Sequence, residues 1–436
     1  MSRPFLSLAA LTTAGALLLV TPSIAAAGGN PPPAPKPTSS SGAATAPAAG
    51  GGQGPGTYTV EQAISDRAQL NTLAFDGLGF LTGSIGSDSF FPPGKVADFW
   101  GFQYLRDNDP TEMGHNTDFL TKASLNMLNV LTTEQKAQLV ALAKSQVSSI
   151  NDYGYQRFVL MTAFRRLLTG DLPTGTKGLN QAAVKAFSAD LYRLDGQISY
   201  QRAAVMGPIL SSLSADQRAT LDAMVGKGMT TWPTATEPSD LRPLSHDEKV
   251  AVMTYAGDMF SWYAGSIAAD VYFCPERHGT YFGSFYLKDA PAVGNPGYSI
   301  ATNTTGDMGE AFLNALATKQ RALVTGLVDA QKADLAGIVK VRQQVATQLR
   351  QFRSGQTPSL AAVKDLMATY GQLDGSLNYR YATAFAKVGQ SLSADQRTKL
   401  AALRKQTVGD FTPTGAFLYA TPIAIPTVRN TDFLFG

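Results

Sequence analysis

Apolar side chains recur at three- and four-residue steps over long stretches of this chain, a spacing that gathers them on one face of a helix. Between residues 135 and 168 they fall at Leu139, Leu142, Ala143, Val147 and Ile150, then at Phe158, Met161, Phe164 and Leu168. The spacing predicts one long helix, bent near Gly154, which Gly170 and Pro173 stop. A second long helix is expected over 181–210, and a shorter one after Ser214. The order then returns: a helix over 331–352, a stop at Gly355 and Pro358, a helix over 360–388 and a last one over 394–407. Two long helices joined by a short Gly/Pro turn make an antiparallel hairpin. Residues 63–81 and 248–264 are also apolar enough for a helix. Each is followed by a long stretch rich in Gly, Pro and aromatics, 83–115 and 265–305. A loop of that length is uncommon unless it is functional or packs on itself. The expected fold class is all-α.

The two halves also match residue by residue, as internal repeats do. Residues 83–107 align without a gap on 265–289 at an offset of 182. Extended back to Thr72 and Thr254, the alignment holds 13 identities: Thr72, Ala74, Asp76, Gly83, Ser84, Ile85, Asp88, Phe91, Pro93, Gly101, Tyr104, Leu105 and Asp107. Downstream, Arg157 pairs with Arg342 and Arg165 with Arg350 at an offset of 185. Leu194-Asp195-Gly196 pairs with Leu373-Asp374-Gly375, Tyr200 with Tyr379, and the run Leu213–Arg218 reappears unchanged at Leu392–Arg397. The reading is a tandem duplication of a helical-hairpin unit, each copy carrying one long aromatic/Gly/Pro loop. Unit 1 covers 58–230, a connector 231–241, unit 2 242–410, and an irregular tail 411–436.

Composition places this pair of units outside the cytoplasm. Arg3, the uncharged apolar run 6–20 and Ala25-Ala26-Ala27 read as a cleaved signal peptide over 1–27. Residues 28–57 are Pro, Gly, Ala, Ser and Thr, a composition that predicts a disordered linker. No later apolar run reaches about 18 residues, so the mature chain is expected to carry no integral membrane segment and to be periplasmic or secreted. The single Cys274 excludes an internal disulfide. A net charge of +3 gives no basic stripe for nucleic acid. Three His and one Cys are too few for a His/Cys metal cage.

The run Leu-Ser/Thr-x-x-Gln stands at Leu131–Gln135, Leu213–Gln217 and Leu392–Gln396, and a fourth place, Leu327–Gln331, keeps only its Leu and Gln. It is the spelling of a capping box. The hydroxyls of Thr132, Ser214 and Ser393 are expected to cap a helix, while Gln135, Gln217 and Gln396 reach back to the cap N–H. These paired motifs resemble those of the Spy/CpxP group of periplasmic LTxxQ-motif proteins. The resemblance covers the hairpin portions. It implies an all-helical, hairpin-built fold and a chaperone or envelope-stress role, with unfolded or partner proteins held on the hairpins.

The duplicated loop supplies the alternative. It gathers carboxylates at Asp88, Asp107, Asp270 and Asp289, cations at Lys95 and Arg277, and aromatics at Trp100, Tyr104, Phe282 and Tyr286. Aromatic walls with a few polar groups are what a small-ligand pocket needs. The same residues also suit a self-packed plug. Asp107, Asn108, Asp109 and Glu112 could offer oxygens to an ion, but the second copy reads Asp289-Ala290-Pro291-Ala292 and the EF-hand spacing is absent, so no metal site is assigned. Cys274 and His278 align with Pro92 and Val96 and so serve no shared role. No nucleophile elbow, zinc-protease motif or phosphate loop is present; an enzyme would have to use the duplicated carboxylates Asp76 and Asp88 with Asp258 and Asp270. The expectation is an exported, non-enzymatic binding protein with no catalytic residue assigned and its cofactor unknown. It acts on partner or unfolded proteins, or on a small ligand or ion.

Overall fold

The computed structural model describes residues 66–82, 118–225, 231–264, 306–408, 428 and 430–436. Among them the architecture is all-α. There are ten α-helices: α1 (Asp66–Thr82), α2 (Asp118–Val130), α3 (Thr133–Thr169), α4 (Gln181–Ser211), α5 (Ala215–Asp222), α6 (His246–Ala264), α7 (Gly306–Ala315), α8 (Thr318–Arg350), α9 (Leu360–Ser391) and α10 (Ala394–Val408). No described helix is long and apolar enough to cross a membrane.

Local chemistry sets the ends of the long arms. Thr132 takes an extended conformation and its hydroxyl accepts the Gln135 N–H at 3.2 Å, which starts α3. Gly170, at φ 79°, closes α3 by donating its N–H to the Arg166 and Leu167 carbonyls. Asn180 then caps α4 by accepting from the N–H groups of Ala182 and Ala183. In the second hairpin a 3₁₀ turn, Gln351–Ser354, leads to Gly355 at φ 75°, and Ser359 caps α9. The apolar stripe of α3 lies in the core: Leu139, Leu142, Ala143, Ile150, Phe158, Met161 and Phe164 are buried, and Val147 and Leu168 pack partly buried against them. The helix runs unbroken through Gly154.

Two boundaries differ from expectation. Helix α8 begins at Thr318, well before residue 331, and Leu327, Val328 and Gln331 are buried inside it. The fourth motif is therefore Leu316-Ala317-Thr318-Lys319-Gln320. Ala317 has no hydroxyl, so only the returning half of the box forms, with the Ala317 N–H donating to Gln320 Oε1 at 2.8 Å. A search keyed on Ser or Thr passes over it because the Gln half needs only a backbone N–H. The second difference is the pair of short helices α2 and α7, each directly before a capped long arm and left unassigned by periodicity.

Helices α3 and α4 pair as one hairpin, α8 and α9 as another, and the most extensive packing among the described residues is between α4 and α9. Glycine sets how close these two come. A Cβ on Gly371 would lie 2.4 Å from the Ser188 carbonyl oxygen, and one on Gly375 2.9 Å from Lys185 Cα. The helix that precedes each hairpin by the longest stretch of chain does not pack on that hairpin but on the other. Helix α6 lies on α2, α3 and α4, whereas α1 lies on α7, α8, α9 and α10.

Candidate functional site

The loop residues Asp88, Lys95, Trp100, Tyr104, Asp107, Asp270, Arg277, Phe282, Tyr286 and Asp289 lie outside the described residues, as do Cys274 and His278. The capping residues lie within them, and their geometry shows why the motif comes in pairs. Gln217 Oε1 accepts the Ser214 N–H at 2.8 Å, while Gln217 Nε2 donates to the Val130 carbonyl at 2.8 Å and to Gln135 Oε1 at 2.8 Å. Gln135 Oε1 also accepts the Thr132 N–H, at 2.9 Å. The box that starts the first arm of the hairpin is thereby tied to the box that follows its second arm. The second hairpin repeats the clasp: Gln396 Nε2 donates to Gln320 Oε1 at 2.7 Å and to the Ala315 carbonyl at 3.0 Å, while Ser393 and Gln396 exchange their capping bonds at 3.0 and 3.2 Å. Arg218 and Arg397 close the motif by donating to the last carbonyls of the preceding helix, Leu210 and Ser211 in one case and Gly389 in the other.

Between the hairpins lies a buried polar layer. Arg157 on α3, Asp195 on α4, Arg342 on α8 and Asp374 on α9 are all at most 5% exposed. The layer holds two cations and two carboxylates and is close to neutral, the condition under which charge tolerates burial. Asp195 accepts from Ser199 at 3.2 Å, and Asp374 accepts from Asn378 at 2.7 Å. Arg342 donates to the Tyr370 hydroxyl at 3.0 Å, and Tyr370 meets Tyr192 edge to face at 4.6 Å between centroids. Burial raises the Asp195 carboxyl to about 6, opposed by Arg202, by the Ser199 bond and by Arg342. Burial, then the Asp195 charge, holds the Tyr153 phenol well above its ordinary range.

A second polar set lies where each exchanged helix meets its host hairpin. On the α6 side, Arg202 pairs with Asp258 at 2.7 Å, and Tyr255 donates to Gln146 at 2.9 Å. On the α1 side, Gln331 donates to Gln69 at 3.0 Å and accepts from Tyr381. Gln331 lies 185 residues after Gln146, so its place in the sequence reflects this buried role. Asp76, one of the carboxylates considered for chemistry, is buried in α1, and Asp258 is held in its ion pair with Arg202.

These arrangements hold helices together. Asp195 can take up a proton near neutral pH, but at 1% exposure it meets no solute. Among the described residues no three His, Cys, Asp or Glu side chains converge as a metal site would require. Sequence reasoning recorded Arg157, Arg342, Asp195 and Asp374 as repeated positions without giving them a role. The usable signal was a charged residue, present in both halves, set into the apolar stripe of a helix. No protein-family model matches the chain, and neither a curated protein nor a solved structure is similar to it.

Proposed function

We propose that this is an exported, non-enzymatic binding protein of two tandem helical-hairpin units, in which the helices are the scaffold and the two aromatic loops carry a small ligand. The observation that favours the loops is the surface of the helices. Among the described residues only Leu323, Leu360 and Phe433 are exposed large hydrophobics, at 37%, 37% and 50%. An ATP-independent holder of unfolded chains needs a contiguous apolar face, and three scattered side chains do not make one. The repeated polar residues Arg157, Asp195, Arg342 and Asp374 lie buried between helices. The loop residues Asp88, Tyr104, Asp270 and Tyr286 repeat a carboxylate and an aromatic in each half, the mix a small-ligand pocket needs, and duplicated loops suit two equivalent sites.

The Spy/CpxP resemblance is the second reading, favoured by the paired and clasped LTxxQ boxes. Native mass spectrometry on protein from its host's exported fraction separates the two. The loop reading expects a bound species at up to two per chain, lost in Asp88→Ala with Asp270→Ala and in Tyr104→Ala with Tyr286→Ala while helicity is kept. A ligand-free mass, together with aggregation suppression that survives both double variants, would refute it and leave the chaperone reading.

A further inference from the structure

The last described residues form a docked peptide. Asn180 N–H donates to the Leu434 carbonyl at 2.8 Å, Lys177 N–H to the Gly436 carbonyl oxygen at 2.9 Å, and Gly436 N–H to the Gly178 carbonyl at 3.0 Å, an antiparallel pairing that sets Leu179 opposite Phe435. Leu434 is fully buried and Phe435 is 6% exposed. Arg166, near the end of α3, reads the side chains: it donates to Asp432 at 2.6 Å and Thr431 at 2.9 Å, and its guanidinium lies 5.1 Å from the Phe435 ring centroid. Asp171 holds the same guanidinium from the turn at 2.9 Å. Phe433 packs on Phe187 of α4 at 5.7 Å between centroids.

This is strand addition to a loop edge, with backbone bonds giving affinity and alternate side chains giving specificity. The first hairpin has the edge because eleven residues, 170–180, separate α3 from α4; only five, 355–359, separate the second hairpin's 3₁₀ turn from α9. The tail therefore finds its site in the half opposite to α10, the helix that it follows, across the 21 residues 409–429. The described contacts of residues 431–436 are with Arg166, the α3–α4 turn and Phe187, so an identical segment on another molecule satisfies the same bonds.

We propose that the α3–α4 turn is a docking site for the segment Thr431–Gly436 which a second copy of this chain fills when the resident tail is displaced, exchanging tails between molecules. One such site and one tail per chain let a reciprocal exchange close as a two-fold pair. The connector favours the resident tail through its effective concentration, so exchange is read most cleanly where that competitor is gone.

Two full-chain variants test it: one ending at residue 429, and Arg166→Glu, which keeps the tail and sets a carboxylate against Asp171 and Asp432. Mixed, they are expected to form a one-to-one complex by native mass spectrometry, whereas the tail-less variant alone is not. A labelled peptide of residues 428–436 should bind the tail-less chain, and about tenfold or more weaker when that chain also carries Arg166→Glu. Circular dichroism verifies that each variant is folded. A folded tail-less chain that binds neither peptide nor partner would overturn the proposal. So would peptide binding that ignores Arg166→Glu, or peptide binding without a mixed complex.

Discussion

Gly371 sits where α4 and α9 come closest, and alanine there should act against its own helix propensity. In a helix interior, Gly→Ala contributes about 1 kcal/mol by restricting the unfolded chain and favouring the helix. A Cβ at Gly371, however, falls 2.4 Å from the Ser188 carbonyl oxygen and 2.8 Å from Ala189 Cα. Both are backbone atoms of a long helix and cannot rotate away, so the helices must part by the better part of an ångström. Overpacking of that kind costs typically about 1–3 kcal/mol. Parting also stretches the Tyr192–Tyr370 contact and the 3.5 Å bond from Ser188 to Asp374, which lie in the same crossing. Gly326 on α8 is the control, because a Cβ there meets nothing within 4 Å. Gly326→Ala should stabilise by roughly 0.5–1 kcal/mol, while Gly371→Ala should destabilise by roughly 1–2 kcal/mol net. Urea unfolding followed by circular dichroism, at matched slopes, gives both values. If Gly371→Ala proves as stable as Gly326→Ala, the close crossing of α4 and α9 is wrong.

Three further outcomes follow from the polar layers. Gln217→Ala removes the capping bond and both clasp bonds, and should cost about 1–2 kcal/mol, seen as faster amide exchange at Thr132 and at the start of α5. Arg202→Met removes the cation from Asp258, whose side chain is 14% exposed, and should cost about 2–3 kcal/mol; a second change, Asp258→Leu, should recover most of that in a double-mutant cycle. For Asp195 the native carboxyl, at about 6, stands above its ordinary 3.8. The folded state therefore holds the extra proton between those values, and this group's contribution to stability falls as pH rises from about 4 to 6, by on the order of 3 kcal/mol. The unfolding free energy of the native chain minus that of Asp195→Asn should decline across that window and level off above it; a flat or rising difference would show that Asp195 is not a buried, charge-disfavoured carboxyl.

The hairpins were legible because their information is local. Three- and four-residue spacing marks an arm, Gly170 and Gly355 mark its end, and Thr132, Ser214 and Ser393 mark the next start. The start of α8 was misplaced because Ala317 offers no side-chain oxygen and the surviving signal, one Gln three residues on, is too common to stand out. The buried layer was half legible. The repetition of Arg157 with Arg342 and of Asp195 with Asp374 was visible, but whether they face each other or water depends on packing between helices 180 residues apart. The docked tail was read as irregular, which its backbone largely is; what fixes it is Arg166 and the turn edge, and neither carries a periodic signature.

The exchange of first helices lay furthest from what a sequence can display. Helix α1 contains Leu73, Ala74, Leu78 and Phe80, all buried, and α6 contains Ala251, Val252, Tyr255, Met259 and Phe260, equally buried. Either helix could cover either hairpin on grounds of apolar area, because area is not directional. Polar partners supply the discrimination. Asp258 on α6 finds Arg202 on α4, whereas the residue 179 positions after Arg202 is Tyr381, which meets Gln331 beside Gln69 of α1. If the helices traded places, Gln146 would lose the Tyr255 hydroxyl, because the aligned residue of α1 is Leu73. Gln69, aligned with Ala251, would also leave the Gln331 amide without its partner. A buried amide left without its partner costs about 1–3 kcal/mol, more than the difference between two apolar surfaces. Divergence at these few buried positions is therefore enough to direct each helix to one hairpin.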